Sequence, residues 1–515
     1  MRIPIDRDSD VPLYQQIIQF LGEEIHSGGL PAETRLPSTR SLAESLGVNR
    51  ITVINAYAEL EAEGLIYGKT GSGYYVAEFT PSSQQDRPGL GSRQDWPLWQ
   101  QSLLNRGWTP VQSEMDQLAH SVQGPDLISF AFGVGESQLF PADDFRKALQ
   151  VVLRRDGVEA LGYGDRMGYP PLRATIAHIL ANQGVPVQSG NILVTSGSQQ
   201  AVALVAHMLL RPGDMVLVES PSYVGVIDLF RSLDVRLMGV PVDEQGMRVD
   251  AVEAILRTTL PKLIYTIPTF HNPTGVCMSS PRRRQLIALA DRYDVPILED
   301  DFAGDLRYEG RAQPALKALD PGGRVIYVST FSKMLAPGLR LGFLAAEGPV
   351  YERLVACKRA NDLATSNLIQ RALEEYITVG RYQAHLRRAC QVYGLRRDAM
   401  LAALEKYMPT GVSWIKPMGG LFVWLKLPGE LSANELYPLA GEERVTYSPG
   451  SFFYPGARHQ PYLRVNFVNN TPEVIEEGIR RLGKAVERLI AQGPTGSRPR
   501  QTRGVSSREE EVVKV

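Results

Sequence analysis

This sequence has few cysteines, no long apolar run and almost no net charge. Its 515 residues include only three cysteines, too few and too widely spaced for a disulfide framework or a zinc site, so we expect thiols in a reducing compartment. No uninterrupted apolar run approaches the roughly 18 residues of a membrane span. The formal net charge is -1, so any contact with nucleic acid must come from a local patch. We therefore expect a cytoplasmic protein with no membrane segment and no metal site.

The length of the chain and its changes in composition predict several domains, because one hydrophobic core seldom organises so many residues. Residues 10–76 show helical periodicity and then short extended pieces. Residues 77–112 are too polar and too rich in Pro, Gly and Ser to form a core, which predicts a linker. Residues 113–492 would form a large second domain, and residues 493–515 a disordered tail.

The first domain is predicted to begin with three helices. Apolar residues recur at three- and four-residue spacing from Leu13 to Ile25, which indicates an amphipathic helix. Ser38 can cap a second helix that Gly47 ends in the left-handed conformation, and Asn49 can cap a third. The result is a helix, a tight turn and a helix, and the start of the last helix is the part that enters a DNA major groove in such motifs.

A β-hairpin is predicted after these helices, because two short extended pieces flank a glycine-rich turn at residues 68–73 and would form a wing. The segments Arg35-Leu36-Pro37-Ser38-Thr39-Arg40, Leu46-Gly47-Val48-Asn49-Arg50 and Glu63-Gly64-Leu65-Ile66 resemble the GntR-type winged helix-turn-helix. This resemblance implies binding of double-stranded DNA by Arg35, Arg40, Arg50 and Thr52, with Lys69 of the wing on a phosphate. Acidic residues outnumber basic ones in the first 76 positions, so binding would depend on where the basic residues lie.

In the second domain, apolar runs typical of strands alternate with helical stretches. Examples are Ile192-Leu193-Val194, Val216-Leu217-Val218, Leu263-Ile264-Tyr265 and Val325-Ile326-Tyr327-Val328. This alternation favours an α/β fold in which a mainly parallel central sheet is covered by helices.

Two segments after these strands carry groups suited to a phosphate. Ser198 and Gln199 stand at the start of an apolar helix, where backbone N–H groups are free, although ordinary helix capping explains this segment equally well. Thr330, Ser332 and Lys333 follow another strand, and Arg340 lies beyond a Pro-Gly turn that can fold it back. A lysine amine can form a Schiff base with an aldehyde, while the hydroxyls and the arginine can bind that molecule's phosphate.

Three further residues suit the ring of such an aldehyde cofactor. Asp300 ends a buried strand, and its carboxylate could keep a pyridine nitrogen protonated, although an acidic cluster can also cap a helix. Asn272 could donate its amide to a phenolic oxygen, and Tyr223 could stack on the ring.

These segments together, from about Asp126 to Leu489, resemble the fold-type I pyridoxal-phosphate enzymes of aminotransferase class I/II. The resemblance implies that Lys333 bonds to pyridoxal phosphate, that Asp300, Asn272 and Tyr223 hold its ring, and that the remaining groups bind its phosphate. The phosphate set is Ser198, Gln199, Thr330, Ser332 and Arg340. Arg464 matches the arginine that binds the substrate carboxylate, although an ordinary strand-exposed arginine stays open. Tyr163 matches a tyrosine that reaches the partner subunit's phosphate, which implies a homodimer.

One position departs from the family pattern. The family usually places a tyrosine shortly after the ring-nitrogen aspartate, but this chain has Phe302, which cannot donate a hydrogen bond to the phenolic oxygen. Turnover could therefore be weakened without loss of cofactor binding. The stretch Gly419–Leu425, in contrast, resembles active aminotransferases that act on aminoadipate or aromatic amino acids.

A GntR-type reader joined by a linker to an aminotransferase-like body is the layout of the MocR family of transcription regulators. We therefore expect a regulator that binds pyridoxal phosphate through Lys333, senses an amino compound or the cofactor itself, and repositions two readers on DNA. The alternative is a working aminotransferase, which exchanges an amino group between an amino acid and a 2-oxo acid and carries the reader as an appended module. A dimer that holds its cofactor permanently and without response ranks below both.

Overall fold

The computed structural model describes residues 3–6, 12–26, 29–62, 65–69, 73–77, 97, 110–122, 124–131, 133, 135–456 and 460–493. The chain divides into an N-terminal unit, Met1–Arg106, and a C-terminal unit, Gly107–Val515. Most of the predicted linker, the tip of the predicted wing at residues 70–72 and the predicted tail beyond residue 493 lie outside the described residues. Within the described part of the chain, no helix is long and apolar enough to cross a membrane.

The N-terminal unit contains three helices followed by a two-stranded antiparallel sheet. Its elements are α1 Leu13–His26, α2 Thr39–Leu46, α3 Arg50–Ala62, β1 Ile66–Lys69 and β2 Gly73–Val76. Ser38 caps α2 by accepting a hydrogen bond from the Ser41 N–H, and Gly47 ends it with φ 62°. Asn49 Oδ1 accepts from the Ile51 N–H at 3.0 Å at the start of α3. The caps expected from the sequence are therefore present.

A small apolar core holds this unit together. It includes Ile17 and Leu21 of α1, Val53 and Leu60 of α3, and Val76 of the hairpin, all of which are buried. Burial of such side chains stabilises a domain by about 1.5–3 kcal/mol each relative to exposure. The buried apolar side chains of the helices and of the hairpin therefore form one shared core.

The C-terminal unit is built around an eight-stranded sheet. The strands of the whole unit are β3 Ile128–Ser129, β4 Ile192–Thr195, β5 Met215–Ser220, β6 Arg236–Asp243, β7 Gly246–Met247, β8 Leu263–Thr266, β9 Ile297–Asp301, β10 Val325–Thr330, β11 Gly342–Ala345, β12 Ser413–Trp414, β13 Phe422–Lys426, β14 Val445–Thr446, β15 Ser448–Pro449 and β16 Tyr462–Asn466. The large sheet has the order β4-β11-β10-β9-β8-β5-β6-β7. The strands from β10 to β6 pair in parallel, whereas β11 is antiparallel to both of its neighbours and β7 is antiparallel to β6. The prediction of a mainly parallel sheet is confirmed.

Helices cover the large sheet, and a smaller antiparallel sheet of order β12-β13-β16-β15 lies beside a parallel pair of β3 and β14. The helices of this unit are α4 Val111–Ser121, α5 Ala142–Asp156, α6 Val158–Leu161, α7 Pro170–Asn182, α8 Ser198–Leu209, α9 Val224–Ser232, α10 Val249–Leu256, α11 Ser280–Tyr293, α12 Leu316–Leu319, α13 Pro349–Asp362, α14 Asn367–Thr378, α15 Arg381–Tyr407, α16 Ala433–Glu442 and α17 Pro472–Gln492. Strands β4, β5, β8 and β9 are almost entirely buried, which explains their near-continuous apolar sequences.

The direction of the parallel strands determines where polar side chains collect. In an open α/β sheet, ligands bind beyond the carboxyl ends of the strands. Asp300 lies near the end of β9, Thr330 ends β10, and Asn272 follows β8 within a few residues. The fold therefore brings residues that are far apart in the chain to one edge of the sheet.

Candidate functional site

A cavity of about 660 Å³ lies at this edge of the C-terminal unit. It is lined by the following predicted site residues: Ser198, Gln199, Tyr223, Asn272, Asp300, Thr330, Ser332, Lys333, Arg340 and Arg464. Tyr163 does not line this cavity, and 91% of its surface is exposed. One cavity thus contains the whole predicted set except the residue assigned to a partner.

Lys333 presents its amine to the cavity. Its Nζ donates a hydrogen bond of 2.8 Å to the carbonyl oxygen of Gly133. Burial, with smaller contributions from the positive charges of Arg464 and Arg340, lowers the pKa of Lys333 to about 8. Because the neutral amine is the nucleophile, this environment prepares Lys333 to attack an aldehyde near neutral pH.

Asp300 is held by one oxygen and leaves the other available. Its Oδ2 accepts a hydrogen bond of 2.8 Å from the hydroxyl of Tyr265. Its Oδ1 is buried and has no hydrogen-bond partner among the described residues. Burial raises the pKa of Asp300 to about 7, although the Tyr265 hydroxyl opposes this shift, and the nearby Asp301 adds to it. A buried carboxyl group with one unsatisfied oxygen suits a cationic N–H donor such as a protonated pyridine.

Arg464 also lines the cavity and is 5% exposed, so the alternative of an ordinary strand-exposed arginine is wrong. Its Nη1 donates to Asn272 Oδ1 at 2.8 Å, and its Nη2 donates to the Ala131 carbonyl at 2.8 Å. The guanidinium carbon lies 4.1 Å from the centre of the Phe422 ring. Its Nε has no hydrogen-bond partner among the residues described, and burial lowers the pKa of Arg464 to about 9. This fixed, desolvated cation is suited to a carboxylate.

Asn272 is oriented by the same contact. Since its Oδ1 accepts from Arg464, its amide nitrogen is the group that can donate to a ligand. That is the role expected for it towards a phenolic oxygen. Phe302 also lines the cavity and is buried. Its ring offers no hydrogen-bond donor, so no tyrosine at this position adds a second hydrogen bond to that of Asn272.

Groups suited to a phosphate surround the start of α8. Gly197 precedes this helix with φ 93°, a conformation that favours glycine. A Cβ at Gly197 would lie 3.0 Å from Arg340 Nη2, so the loop and the guanidinium are closely packed. The Thr330 and Ser332 hydroxyl oxygens are 3.0 Å apart on the adjacent loop. Helix N–H groups, hydroxyls and an arginine together form a typical anion site.

Sequence reasoning missed Tyr265 and the helix α4. Tyr265 lies on β8, where it pairs in register with Leu298 of the neighbouring strand β9, and nothing in the sequence shows which strands are adjacent. Helix α4 begins at Val111, inside the range expected to be linker, and its residues Met115 and Leu118 line the cavity. The regular apolar spacing in α4 was the signal that could have identified it.

In the N-terminal unit, the side chains expected at DNA lie mainly on the surface. Arg35, Arg40, Arg50 and Lys69 are exposed, and Thr52 is half-buried. Arg40 Nε lies 3.1 Å from Glu44 Oε1, and both side chains are largely exposed, so this ion pair is weak and can exchange for a phosphate. Two isoleucines of α3, Ile51 and Ile54, are exposed as well, and sequence reasoning did not single them out.

Comparison with family models finds two matches. Residues 13–76 match the model described as bacterial regulatory proteins, gntR family. Residues 128–482 match the model described as aminotransferase class I and II. The two matches fall in the two units that the structure separates.

Two curated relatives match almost the whole length of the chain. The chain is 33% identical to the uncharacterized HTH-type transcriptional regulator YdfD of Bacillus subtilis, over 94% of this chain and 98% of that protein. It is 32% identical to the probable rhizopine catabolism regulatory protein MocR of Rhizobium meliloti, over 95% and 97% of the two chains. Among solved structures, LysN, an alpha-aminoadipate aminotransferase of Thermus thermophilus complexed with N-(5'-phosphopyridoxyl)-L-leucine, matches with a TM-score of 0.68 and 36% identity, over 73% of this chain and 98% of that one.

Proposed function

The chain belongs to the aminotransferase class I and II family and to the MocR-type regulators, which are pyridoxal-phosphate-dependent and bind DNA, and on this premise we propose that an amino acid bound in the cavity of the C-terminal unit alters DNA binding. The observation that carries the proposal is the position of α4. The predicted linker ends within this helix, and two residues of the helix, Met115 and Leu118, also line the cavity. Occupancy of the cavity therefore acts on the segment that leads to the N-terminal unit.

The residues that line the cavity fit pyridoxal phosphate. The unsatisfied Asp300 Oδ1 suits the ring nitrogen, and the amide nitrogen of Asn272 suits the phenolic oxygen. Lys333 would hold the cofactor covalently, and Tyr223 would lie on its ring. The phosphate would bind Ser198, Gln199, Thr330, Ser332 and Arg340. When bound, the cofactor supplies an aldehyde carbon that takes up primary amines and a ring that withdraws electrons.

Arg464 indicates what kind of amine is sensed. Its guanidinium is buried beside the cofactor site, is held by Asn272, and keeps one N–H without a partner among the described residues. A buried cation of this kind binds a carboxylate strongly, because charge-assisted hydrogen bonds are stronger in a protein interior than in water. A ligand that carries an amine and a carboxylate, such as an amino acid, meets both Lys333 and Arg464.

Helix α4 is tied to the cofactor site by hydrogen bonds at both ends. The Val111 N–H donates to Asp228 Oδ1 at 2.8 Å in a buried contact. Asp228 belongs to α9, whose first turn follows Tyr223 at the cavity. At the other end of α4, the Tyr437 hydroxyl donates to the Leu118 carbonyl at 3.1 Å. A shift of α9 or of the Tyr437 side of the cavity would therefore be passed to Val111, at the C-terminal end of the predicted linker.

A homodimer is part of the proposal. Tyr163, Leu161 and Val158 are neighbouring apolar or aromatic side chains that are strongly exposed in the single chain. Exposed patches of this kind mark sites of protein association. Two copies would present two DNA-binding units, as direct or inverted repeats in an operator require.

The test compares the DNA affinity of the full-length protein with and without amino acids. A panel of amino acids should change the visible absorbance of the bound cofactor and, for the effector, the affinity for the promoter region upstream of its own gene. The Lys333→Ala variant should lose both responses. Fast amino transfer to 2-oxoglutarate, with DNA affinity indifferent to amino acids and cofactor, would instead establish the working aminotransferase.

The route through α4 has a test of its own. Asp228→Ala removes the acceptor for the Val111 N–H, so the absorbance response should remain and the DNA response should fall. Asp228→Asn keeps an amide oxygen at this position and serves as the matched control, with both responses retained. An Asp228→Ala protein whose DNA response equals that of the wild type would show that the signal travels by another route.

A further inference from the structure

Helix α3 carries apolar side chains on both of its faces. One face packs into the core through buried residues that include Val53 and Leu60. On the outer side, Ile51 is 63% exposed and Ile54 is 42% exposed. A surface helix normally presents polar residues to water, so an outer face with two isoleucines indicates that something else covers it.

Ile51 occupies the outermost position of this helix. Successive residues of an α-helix are rotated by about 100°, which places Ile51 roughly opposite the buried face, with Asn55 about one turn further along. Its N–H donates to Asn49 Oδ1 at the cap, so the backbone that carries the side chain is fixed. Arg50, which precedes it, is exposed as well. The apolar side chains are therefore continuous with the DNA-binding surface.

We propose that Ile51, with Ile54 beside it, contacts the 5-methyl groups of thymine in the major groove and thereby selects operators with thymine at defined positions. The start of the second helix of a helix-turn-helix is the part that enters this groove. Thymine is the base that presents a methyl group there, and an aliphatic side chain recognises it by contact alone. The β-branched side chain is stiff, so little conformational entropy is lost on contact. Basic residues nearby remain available for base edges and phosphates.

The experiment replaces thymine by deoxyuridine, which removes only the methyl group. The full-length protein with pyridoxal phosphate first selects its preferred duplex from random DNA, and each thymine of that duplex is then replaced in turn. At one or two positions the wild type should lose about fourfold in affinity, the value expected for one buried methyl group. In the Ile51→Ala variant the same replacement should have no effect, so the two changes form a double-mutant cycle that is not additive.

Controls separate this contact from general effects. Ile51→Val keeps a branched methyl group and should keep most of the sensitivity, while Leu395→Ala removes an equally exposed apolar side chain of the C-terminal unit and should leave it unchanged. The dependence of affinity on salt should be the same in Ile51→Ala and wild type, because no phosphate contact is lost. Thermal unfolding should also be unchanged, since the side chain is exposed.

Three results would overturn the proposal. The first is a wild-type protein for which no thymine methyl matters. The second is an Ile51→Ala/Ile54→Ala protein that loses as much affinity on deoxyuridine replacement as the wild type does. If Ile51→Ala instead changes the oligomeric state and leaves DNA affinity unaltered, the isoleucines form a protein interface and the proposal is wrong.

Discussion

The two units place their functional charges in opposite environments. The basic residues expected at DNA in the N-terminal unit are exposed. In the C-terminal unit, Asp300 and Arg464 are buried and each keeps one polar atom without a partner among the described residues. An exposed charge costs the fold little free energy, and each contact that it makes contributes little free energy to binding. A buried charge costs much more, and a ligand that satisfies it is bound tightly and specifically.

This difference suggests how each unit responds to substitution. Substitutions in the C-terminal unit should strongly weaken the binding of a small ligand. Substitutions in the N-terminal unit should change the DNA affinity only slightly, by an amount that depends on the salt concentration. The following experiments could break this contrast.

The largest effect is expected from Lys333→Ala. Without the amine, no covalent bond holds the cofactor, so the visible absorbance of the purified protein should disappear after desalting. Lys358→Met is a suitable control, because Lys358 is a fully buried lysine of the same unit that pairs with Asp362 at 2.7 Å. Its replacement should lower stability and leave the absorbance intact. Retained absorbance in Lys333→Ala would remove this lysine from the site.

Asp300→Asn should have the next largest effect. The buried carboxylate would lose its ionic contact with the protonated ring nitrogen, at a cost of about 3 kcal/mol or more. This corresponds to roughly 100-fold weaker retention of pyridoxal phosphate, measured by the loss of absorbance on dilution. Tyr265→Phe removes the hydrogen bond that orients Asp300 and should weaken retention less. Equal retention in Asp300→Asn and wild type would contradict the assignment.

The pH dependence of cofactor uptake should reveal the environment of Lys333. Its pKa is lowered to about 8, chiefly by burial, so its neutral, reactive fraction grows as pH rises towards that value and is nearly complete above it. The rate of uptake by cofactor-free protein should rise about tenfold from pH 7 to 9 and then level off. A rate that keeps rising to pH 10 would show that the amine is not buried as the structure has it.

The smallest effect is expected in the N-terminal unit. Lys69 of β1 is exposed, and if it contacts one phosphate, Lys69→Ala should reduce the slope of log affinity against log salt by about one. The ratio of the wild-type DNA affinity to the variant's should then change about threefold between 50 and 200 mM salt. DNA titration at the two salt concentrations measures this ratio. An unchanged slope would show that the wing does not contact a phosphate.

The sequence predicts contacts between residues close in the chain better than contacts between distant segments. The caps of α2 and α3, the hairpin β1–β2 and the buried strands were predictable because each depends on residues close in the chain. The placement of Lys333, Asp300 and Arg464 in one cavity followed from a resemblance in motif order. Strand adjacency did not follow, so the contact of Tyr265 with Asp300 was missed.

The same limit applies to α4. Its backbone contact with Asp228 joins positions separated by more than a hundred residues, and a polar, proline-rich stretch precedes it, so composition alone assigned its first turn to the linker. The exposed isoleucines of α3 were missed for a different reason. Sequence periodicity identified the buried face of that helix, and the apolar residues opposite to it were not considered as contacts.

The position of β11 in the large sheet has a consequence for the order of folding during synthesis. Strand β4 ends the sheet, and its neighbour there is β11, with Thr195 paired to Gly342. The ribosome must therefore make the chain as far as β11 before β4 can pair and before the loop at Gly197 reaches Arg340. Because pairings between distant segments form slowly, the N-terminal unit can fold first as an independent piece. The fold of the DNA-binding unit would then be complete before the cofactor site exists.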